Sequence, residues 1–277
     1  MIPALSQVCS LASPFEKDVE DYAAGQCRAL EVWLTKLEQF LQTHSVTEVR
    51  QLFEQHEMTI PAASYQGGLL SSQGEKRQES WELFRRRLDL CAELKIPVLV
   101  VACDVPPPLD QATLERVTVS LEQAAQEAGR RRLRLALEFQ AHAAFGNNLQ
   151  TTAALVQDVG SPHLGICLDV FHHLIGPSKT EDLHYLTAEN LFHVQVSDLA
   201  DVPRELASDA DRILPGDGDF PWPPLLERLR QIDYRGAVSV EILNPKLWAI
   251  PALQFGEVAL TALRKLLAPL PSRWGEG

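Results

Sequence analysis

Four oxygen-bearing side chains stand near the ends of short apolar segments in the second half of the chain. They are Glu138 in LRLALEF, Asp169 in LGICLD, Gln195 in HVQVSD and Glu241 in AVSVEIL. Three carboxylates brought together would repel one another, and burying them unpaired is costly. A divalent cation removes both problems, and ligation by oxygen atoms alone favours Mg²⁺ or Mn²⁺ over Zn²⁺. The residue types therefore predict a metal site, provided that the fold makes the four segments converge.

The elements that must position these side chains repeat along the whole chain. Short apolar segments alternate with longer amphipathic ones, which predicts eight strands and eight helices, including a strand over 58–64 and a helix over 179–188. Repeated βα units give a parallel sheet, and eight of them match a closed α/β barrel of the (β/α)8, or TIM, type. No low-complexity linker divides the chain, so we expect a single domain over 1–277. An open doubly wound sheet is the rival, but no GxGxxG motif follows the first strand.

Strand parity places the polar side chains on one face. Successive side chains of a strand point to opposite faces. Glu138 shares its face with Ala136, and Gln195 shares its face with His193, whereas the intervening residues are aliphatic. The aliphatic set is then expected to face the helices and the polar set the barrel interior. Active sites of such barrels lie at the carboxyl ends of the strands, where all four residues fall.

Composition and charge exclude several classes of function. The formal net charge of −12 opposes nucleic-acid binding, which depends on clustered positive charge. No apolar run approaches the ~18 residues of a membrane span, and we expect no membrane association. The chain has five cysteines, which are scattered and form no CxxC pair, so we expect neither disulfides nor a zinc knuckle. A reducing cytoplasm is the simplest location.

The ordered segments LALEF, LDVFHH, HVQVSD, RILPGDGDF and VSVEIL resemble the xylose-isomerase-like TIM-barrel superfamily of sugar isomerases, epimerases and related dehydratases. The resemblance implies that Glu138, Asp169 and Glu241 are metal ligands, with a fourth ligand from strand seven. The family often has His where this chain has Gln195, whereas 3-dehydroshikimate dehydratases resemble this chain in using Gln. His193 lies two positions deeper, about 6.6 Å along a strand. We expect Gln195 to be the ligand, with His193 as the alternative.

The same resemblance assigns roles to residues beside the metal. His172 matches a D-x-x-H step and is implied to hydrogen-bond a substrate oxygen; a structural imidazole is the alternative. Arg212 precedes LPGDG, where the family keeps an Arg for an anionic or hydroxylated substrate, although a surface Arg in an acidic loop is also compatible. Further substrate-binding candidates follow strands two, three and five: Glu31, Trp33, Gln66 and His142.

These observations predict an isomerase or epimerase that uses a divalent metal and acts on a sugar, sugar phosphate or keto-polyol through an enediolate. In this scheme Glu138 and Glu241 lie on opposite faces of the substrate, and one removes the proton that the other returns. The alternative is a dehydratase of the 3-dehydroshikimate or inosose type, because the early steps are shared. DNA repair of the endonuclease IV type and a non-catalytic barrel are further alternatives. Related barrels frequently dimerise, so a homodimer also stays open.

Overall fold

Eight parallel strands close into a barrel in chain order, with β8 hydrogen-bonded to β1. The computed structural model describes residues 1–268, and the remaining residues of the expected domain, 269–277, lie outside the described part. The strands are β1 (Ile2–Ser6), β2 (Leu30–Trp33), β3 (Ala63–Gln66), β4 (Val98–Cys103), β5 (Arg134–Phe139), β6 (Leu164–Asp169), β7 (Leu191–Val196) and β8 (Ala237–Val240). Closure excludes the open-sheet rival, and the predicted TIM barrel is confirmed.

Helices follow the strands and surround the barrel. They are α1 (Phe15–Ala24), α2 (Leu34–Phe40), α3 (Val46–Gln55), α4 (Gly74–Leu94), α5 (Gln111–Arg130), α6 (Leu149–Val159), α7 (Val170–Ile175), α8 (Trp222–Gln231) and α9 (Ala252–Leu267). Several begin at caps that the sequence encodes: the Asp110 side chain accepts the Thr113 amide, and the Asn148 side chain accepts the Thr151 amide. Such caps satisfy backbone donors that a helix leaves free at its first turn. No described helix is long and apolar enough to cross a membrane.

The two faces of each strand pack into different layers. Leu135 and Leu137 of β5 join the large core between barrel and helices, whereas Ala136 joins a smaller cluster with Val98 and Val100. This alternation is the parity that the sequence predicted. Above the small apolar cluster, the inward positions become polar toward the carboxyl ends of the strands, and this is where the barrel can hold a site.

Two predicted elements differ from the observed ones. The third strand is Ala63–Gln66 rather than 58–64, because its register is set by pairing with β2 and β4. The helix expected over 179–188 is a 3-10 turn, Thr180–Tyr185, and the helix of this unit is the short α7 instead. The Asp169 side chain accepts the Phe171 amide and so starts α7 directly at the end of β6. A residue proposed as a metal ligand thereby also acts as a helix cap.

Candidate active site

The carboxyl ends of the strands surround a cavity of about 350 Å³. Of the residues singled out from sequence, Trp33, Glu138, His172, Arg212 and Glu241 line it. Glu138 belongs to β5, Glu241 directly follows β8, and His172 lies in α7. The barrel thus brings together side chains that are more than 100 residues apart in the chain.

Glu138, Asp169 and His172 form the tightest cluster of ligand-type groups in the described chain. One donor atom from each lies within 4.8 Å of the others. His172 Nε2 is 3.7 Å from Glu138 Oε1 and 3.7 Å from Asp169 Oδ2. Separations of this size are too long for strong hydrogen bonds, and they leave room for an ion or a substrate oxygen between the groups.

The Arg212 guanidinium is buried among carboxylates. Its Nη2 lies 2.7 Å from Asp169 Oδ2, its Nη1 lies 3.2 Å from Glu241 Oε2, and its Nε donates to Asp209 Oδ1 at 2.9 Å. The guanidinium also lies over the ring of Phe171, 4.3 Å from its centroid. Burial alone would lower the pKa of Arg212, but the surrounding carboxylates raise it. Arg212 is therefore a permanent cation that holds two of the proposed metal ligands.

Two carboxylates of the cluster remain short of positive charge. Burial, together with the Asp169 carboxylate, raises the pKa of Glu138 well above its ordinary value. Burial also raises the pKa of Glu241, although Arg212 opposes the effect. Within residues 1–268, the only basic side chain within 4.0 Å of the Glu138 carboxylate is His172, and no Lys or Arg pairs with Glu138. A divalent cation fits this donor set because Arg212 is the only Lys or Arg that pairs with Asp169 and Glu241, and Glu138 has no such partner among the described residues.

The side chain of Gln195 lies beside the cluster with its nitrogen toward the carboxylates. Its Nε2 donates to Glu31 Oε1 and to Glu241 Oε1, both at 2.8 Å, and the thiol of Cys167 donates to its Oε1 at 3.0 Å. The sequence predicted that the amide oxygen would face the metal. The orientation differs because two carboxylates can only accept, so they attract the donor end of the amide. Ligation by Gln195 would require the amide to turn.

His193, the alternative strand-seven ligand, is engaged deeper in the barrel. Its Nε2 pairs with Glu31 Oε2 at 2.8 Å, and both side chains are buried. Burial alone would raise the pKa of Glu31, but His193 lowers it. Glu31, expected to bind substrate, is fully buried and instead accepts from His193 and Gln195 beneath the cavity.

The imidazole of His172 offers a hydrogen-bond donor to the cavity. Its Nδ1 is 3.5 Å from the Ala141 amide, an interaction that favours the neutral tautomer with the proton on Nε2. Burial lowers the pKa of His172, so the neutral form is the relevant one. The Nε2–H group then points to the space beside Glu138 and Asp169, as a residue that binds a substrate oxygen would require.

Of the three remaining substrate-binding candidates, Trp33 lines the cavity, whereas Gln66 and His142 do not. Trp33 lines the cavity next to the end of β2. Gln66 is turned away from it: its amide donates to the Gly67 carbonyl and accepts from Arg87, which lies in α4. His142 is exposed in the segment that follows β5.

Five polar residues that the sequence reasoning missed also line the cavity: Ser64, Tyr65, Asp104, Gln140 and Asp209. Asp104 could have been found from the sequence, because it directly follows the buried strand β4. Polar residues at the carboxyl ends of barrel strands are candidates for the active site. Asp209 lies in a 3-10 turn of the long loop after β7, three residues before Arg212. Nothing in the local sequence marks that turn as facing the site.

The loop that carries Arg212 is held by a single buried carboxylate, Asp198. It accepts the backbone amides of Leu199, Gly216 and Phe220 and the indole Nε1–H of Trp222, at 2.9–3.0 Å. These bonds connect the end of β7 to both ends of the loop and to the start of α8. Each carboxylate oxygen of Asp198 therefore accepts two hydrogen bonds, and these bonds hold the loop in place.

We expect Asp198→Asn to lower the free energy of unfolding by about 2–3 kcal/mol, because an NH2 group would face two buried N–H donors. Urea denaturation checks this value. Asp217→Asn, an exposed change in the same loop, serves as the control and is expected to alter stability by less than about 0.5 kcal/mol. Equal effects of the two changes would show that Asp198 does not hold the loop.

The comparisons with known proteins agree with this geometry. The sequence model of the xylose isomerase-like TIM barrel family matches residues 23–265. This chain belongs to that family. The structure called IolI, solved with a bound zinc atom, superimposes on the barrel with a TM-score of 0.89 and 22% identity, over 96% of this chain and 98% of that one.

Two known proteins that are similar in sequence to this chain carry the names of different enzymes. An inosose isomerase from Halalkalibacterium halodurans is 27% identical over 229 residues, which cover 79% of each chain. A 3-dehydroshikimate dehydratase from Pseudomonas putida is 29% identical over 196 residues, which cover 70% of this chain but only 30% of that protein. Both reaction types foreseen from sequence thus occur among relatives.

Proposed function

We propose that this member of the xylose isomerase-like TIM barrel family is a divalent-metal-dependent isomerase or epimerase of a sugar or keto-polyol, acting through an enediolate. The observation that carries the proposal is that Glu138, His172 and Glu241 line one cavity, while a donor atom of the buried Asp169 lies within 4.8 Å of those of Glu138 and His172. The similarity to an inosose isomerase over most of both chains supports the same reaction class.

The proposed ligands of the metal are Glu138, Asp169 and Glu241, with Gln195 as the fourth once its amide turns. When bound, a divalent cation would supply Lewis-acid stabilisation of negative charge on substrate oxygen atoms. The oxygen donor set favours Mn²⁺ or Mg²⁺. Zinc is the less favoured candidate on this chemistry, although the similar IolI structure contains it.

The chain's own residues would carry the proton. A carboxylate beside the substrate can take up a proton as a general base. We propose that either Glu138 or Glu241 removes the proton beside the substrate carbonyl and that the other returns a proton. The Nε2–H of His172 donates to a substrate oxygen, and Arg212 fixes the carboxylates of Asp169 and Glu241.

The main test measures the incorporation of deuterium from the solvent into the substrate. In D2O with Mn²⁺, a neutral keto-polyol such as scyllo-inosose should gain deuterium at the carbon beside its carbonyl, as followed by NMR. Incorporation into recovered substrate and its isomer supports the proposed reaction. Absence of exchange with inososes and keto-sugars alike would contradict it.

The dehydratase alternative is favoured by Gln195 and by the similarity to a 3-dehydroshikimate dehydratase. In that case the same proton removal is followed by loss of a β-hydroxyl group instead of proton return. An inosose would lose water to give a conjugated enone, and 3-dehydroshikimate, which already has a ring double bond, would lose water to give an aromatic ring. A new ultraviolet absorbance band with either compound would therefore assign the chain to this branch. Exchange without such absorbance assigns it to the isomerase branch.

We expect Glu241→Gln to abolish turnover and to weaken Mn²⁺ binding by more than roughly 100-fold, since loss of a ligand exceeds the ~10–100-fold cost of losing an outer partner. Calorimetric titration with Mn²⁺ measures the affinity, and circular dichroism verifies the fold. Glu79→Gln, an exposed change in α4, is the matched control and should leave both quantities unchanged. Undiminished Mn²⁺ affinity in Glu241→Gln would remove Glu241 from the ligand set.

A cytoplasmic location and a homodimer stay predictions of the sequence. The five cysteines are buried and unpaired, which is compatible with a reducing compartment.

A further inference from the structure

The cavity contains one permanent positive charge, and that charge is already engaged. Among the described residues that line the cavity, Arg212 is the only Lys or Arg. Every nitrogen of its guanidinium has an acceptor: Nε and Nη2 face Asp209, Nη2 also faces Asp169, and Nη1 faces Glu241. The Arg212 side chain is 2% exposed. A substrate phosphate or carboxylate would therefore have to displace an existing carboxylate to pair with Arg212.

Asp104 adds a negative charge on another wall of the cavity. It follows β4, and its Oδ2 accepts the Gly68 amide at 2.7 Å. A Cβ atom on Gly67 would lie 2.8 Å from the same oxygen, so the Gly67-Gly68 pair is what lets the backbone approach this carboxylate. With one oxygen fixed by the backbone, the carboxylate keeps further acceptor capacity for a ligand hydroxyl.

The remaining polar lining is neutral or negative. Asp209 and Glu138 contribute carboxylates, and Gln140 contributes an amide. The buried hydroxyl of Ser64 lies close to the Glu31 carboxylate, beneath the cavity. Arg212 and a divalent cation together would supply fewer positive charges than the carboxylates around the cavity supply negative ones. Such a field disfavours a further anion, whereas ligand hydroxyl groups can donate to carboxylates and accept from the Nε2–H group of His172.

From this arrangement we infer that the cavity selects neutral, hydroxyl-rich ketones over phosphorylated or carboxylated ones, and that Asp104 is a specificity-determining residue that reads a substrate hydroxyl and repels anions. The inference deepens the proposed function and rests on it for the site, but it concerns which ligands bind and not whether they react. The sequence left open whether the substrate near Arg212 is anionic or hydroxylated. The inference selects the hydroxylated substrate.

The test compares ligands that differ in charge on one skeleton. Calorimetric titration of the Mn²⁺-equilibrated protein uses D-fructose against D-fructose 6-phosphate, and 3-dehydroshikimate methyl ester against 3-dehydroshikimate, with scyllo-inosose as a further neutral ketone. We expect each anion to bind at least roughly tenfold more weakly than its neutral counterpart. Equal or tighter binding of the anions would overturn the inference, as would failure of all the neutral ketones to bind.

Removing the negative charge of Asp104 tests whether this residue determines the preference for neutral ligands. Asp104→Asn keeps an oxygen for the Gly68 amide but removes the negative charge, so the preference for neutral ligands should fall by roughly three- to tenfold. Asp158→Asn, the same change on the exposed side of α6, is the matched control and should leave the preference unchanged. An unchanged preference in a folded Asp104→Asn protein would remove Asp104 from specificity.

Deuterium exchange separates this inference from the proposed function. Tight binding of neutral ketones without any exchange would contradict the proposed reaction and leave the inference standing. Exchange together with preferred binding of the phosphorylated or carboxylated ligand would support the reaction and overturn the inference.

Discussion

The whole site depends on the burial of like charges at one end of the barrel. Glu138 and Glu241 line one cavity, and Asp169 is buried beside it. Among the described residues, the only Lys or Arg paired with this group is Arg212, which contacts Asp169 and Glu241. Removing carboxylates from water is costly unless they are paired. This burial raises the pKa values of Glu138 and Glu241, and the same shortage of positive charge is the reason for proposing a divalent cation at the site.

Buried hydrogen bonds around the site hold the charged side chains in their positions. The Glu31–His193 pair lies beneath the site, and Gln195 connects it to Glu241 through two hydrogen bonds of its amide. From above, Asp198 holds the loop that carries Arg212. The reacting groups are thus oriented by satisfied buried bonds on rigid strands, an organisation that pre-positions charge for catalysis.

The barrel was predictable from sequence because its signals are local and repeated. Alternating apolar segments, caps such as Asp110, and polar residues at strand ends each report on a few neighbouring residues. The direction of the Gln195 amide was not predictable, because it is set by Glu31, which is 164 positions away along the chain. The same holds for the buried position of Glu31 and for Asp209 at the cavity. The short α7 was not predictable from apolar spacing, because it has only six residues and begins directly at Asp169, whose side chain caps it at the end of β6.

In the proposed site, one divalent cation compensates the carboxylates at the mouth of this barrel. A crystal structure of the Mn²⁺-soaked protein, with anomalous data collected near the manganese edge, would locate such an ion. We expect one strong anomalous peak bonded to oxygen atoms of Glu138, Asp169 and Glu241. A map at saturating Mn²⁺ with no peak among these carboxylates, or with the ion bound elsewhere, would contradict it.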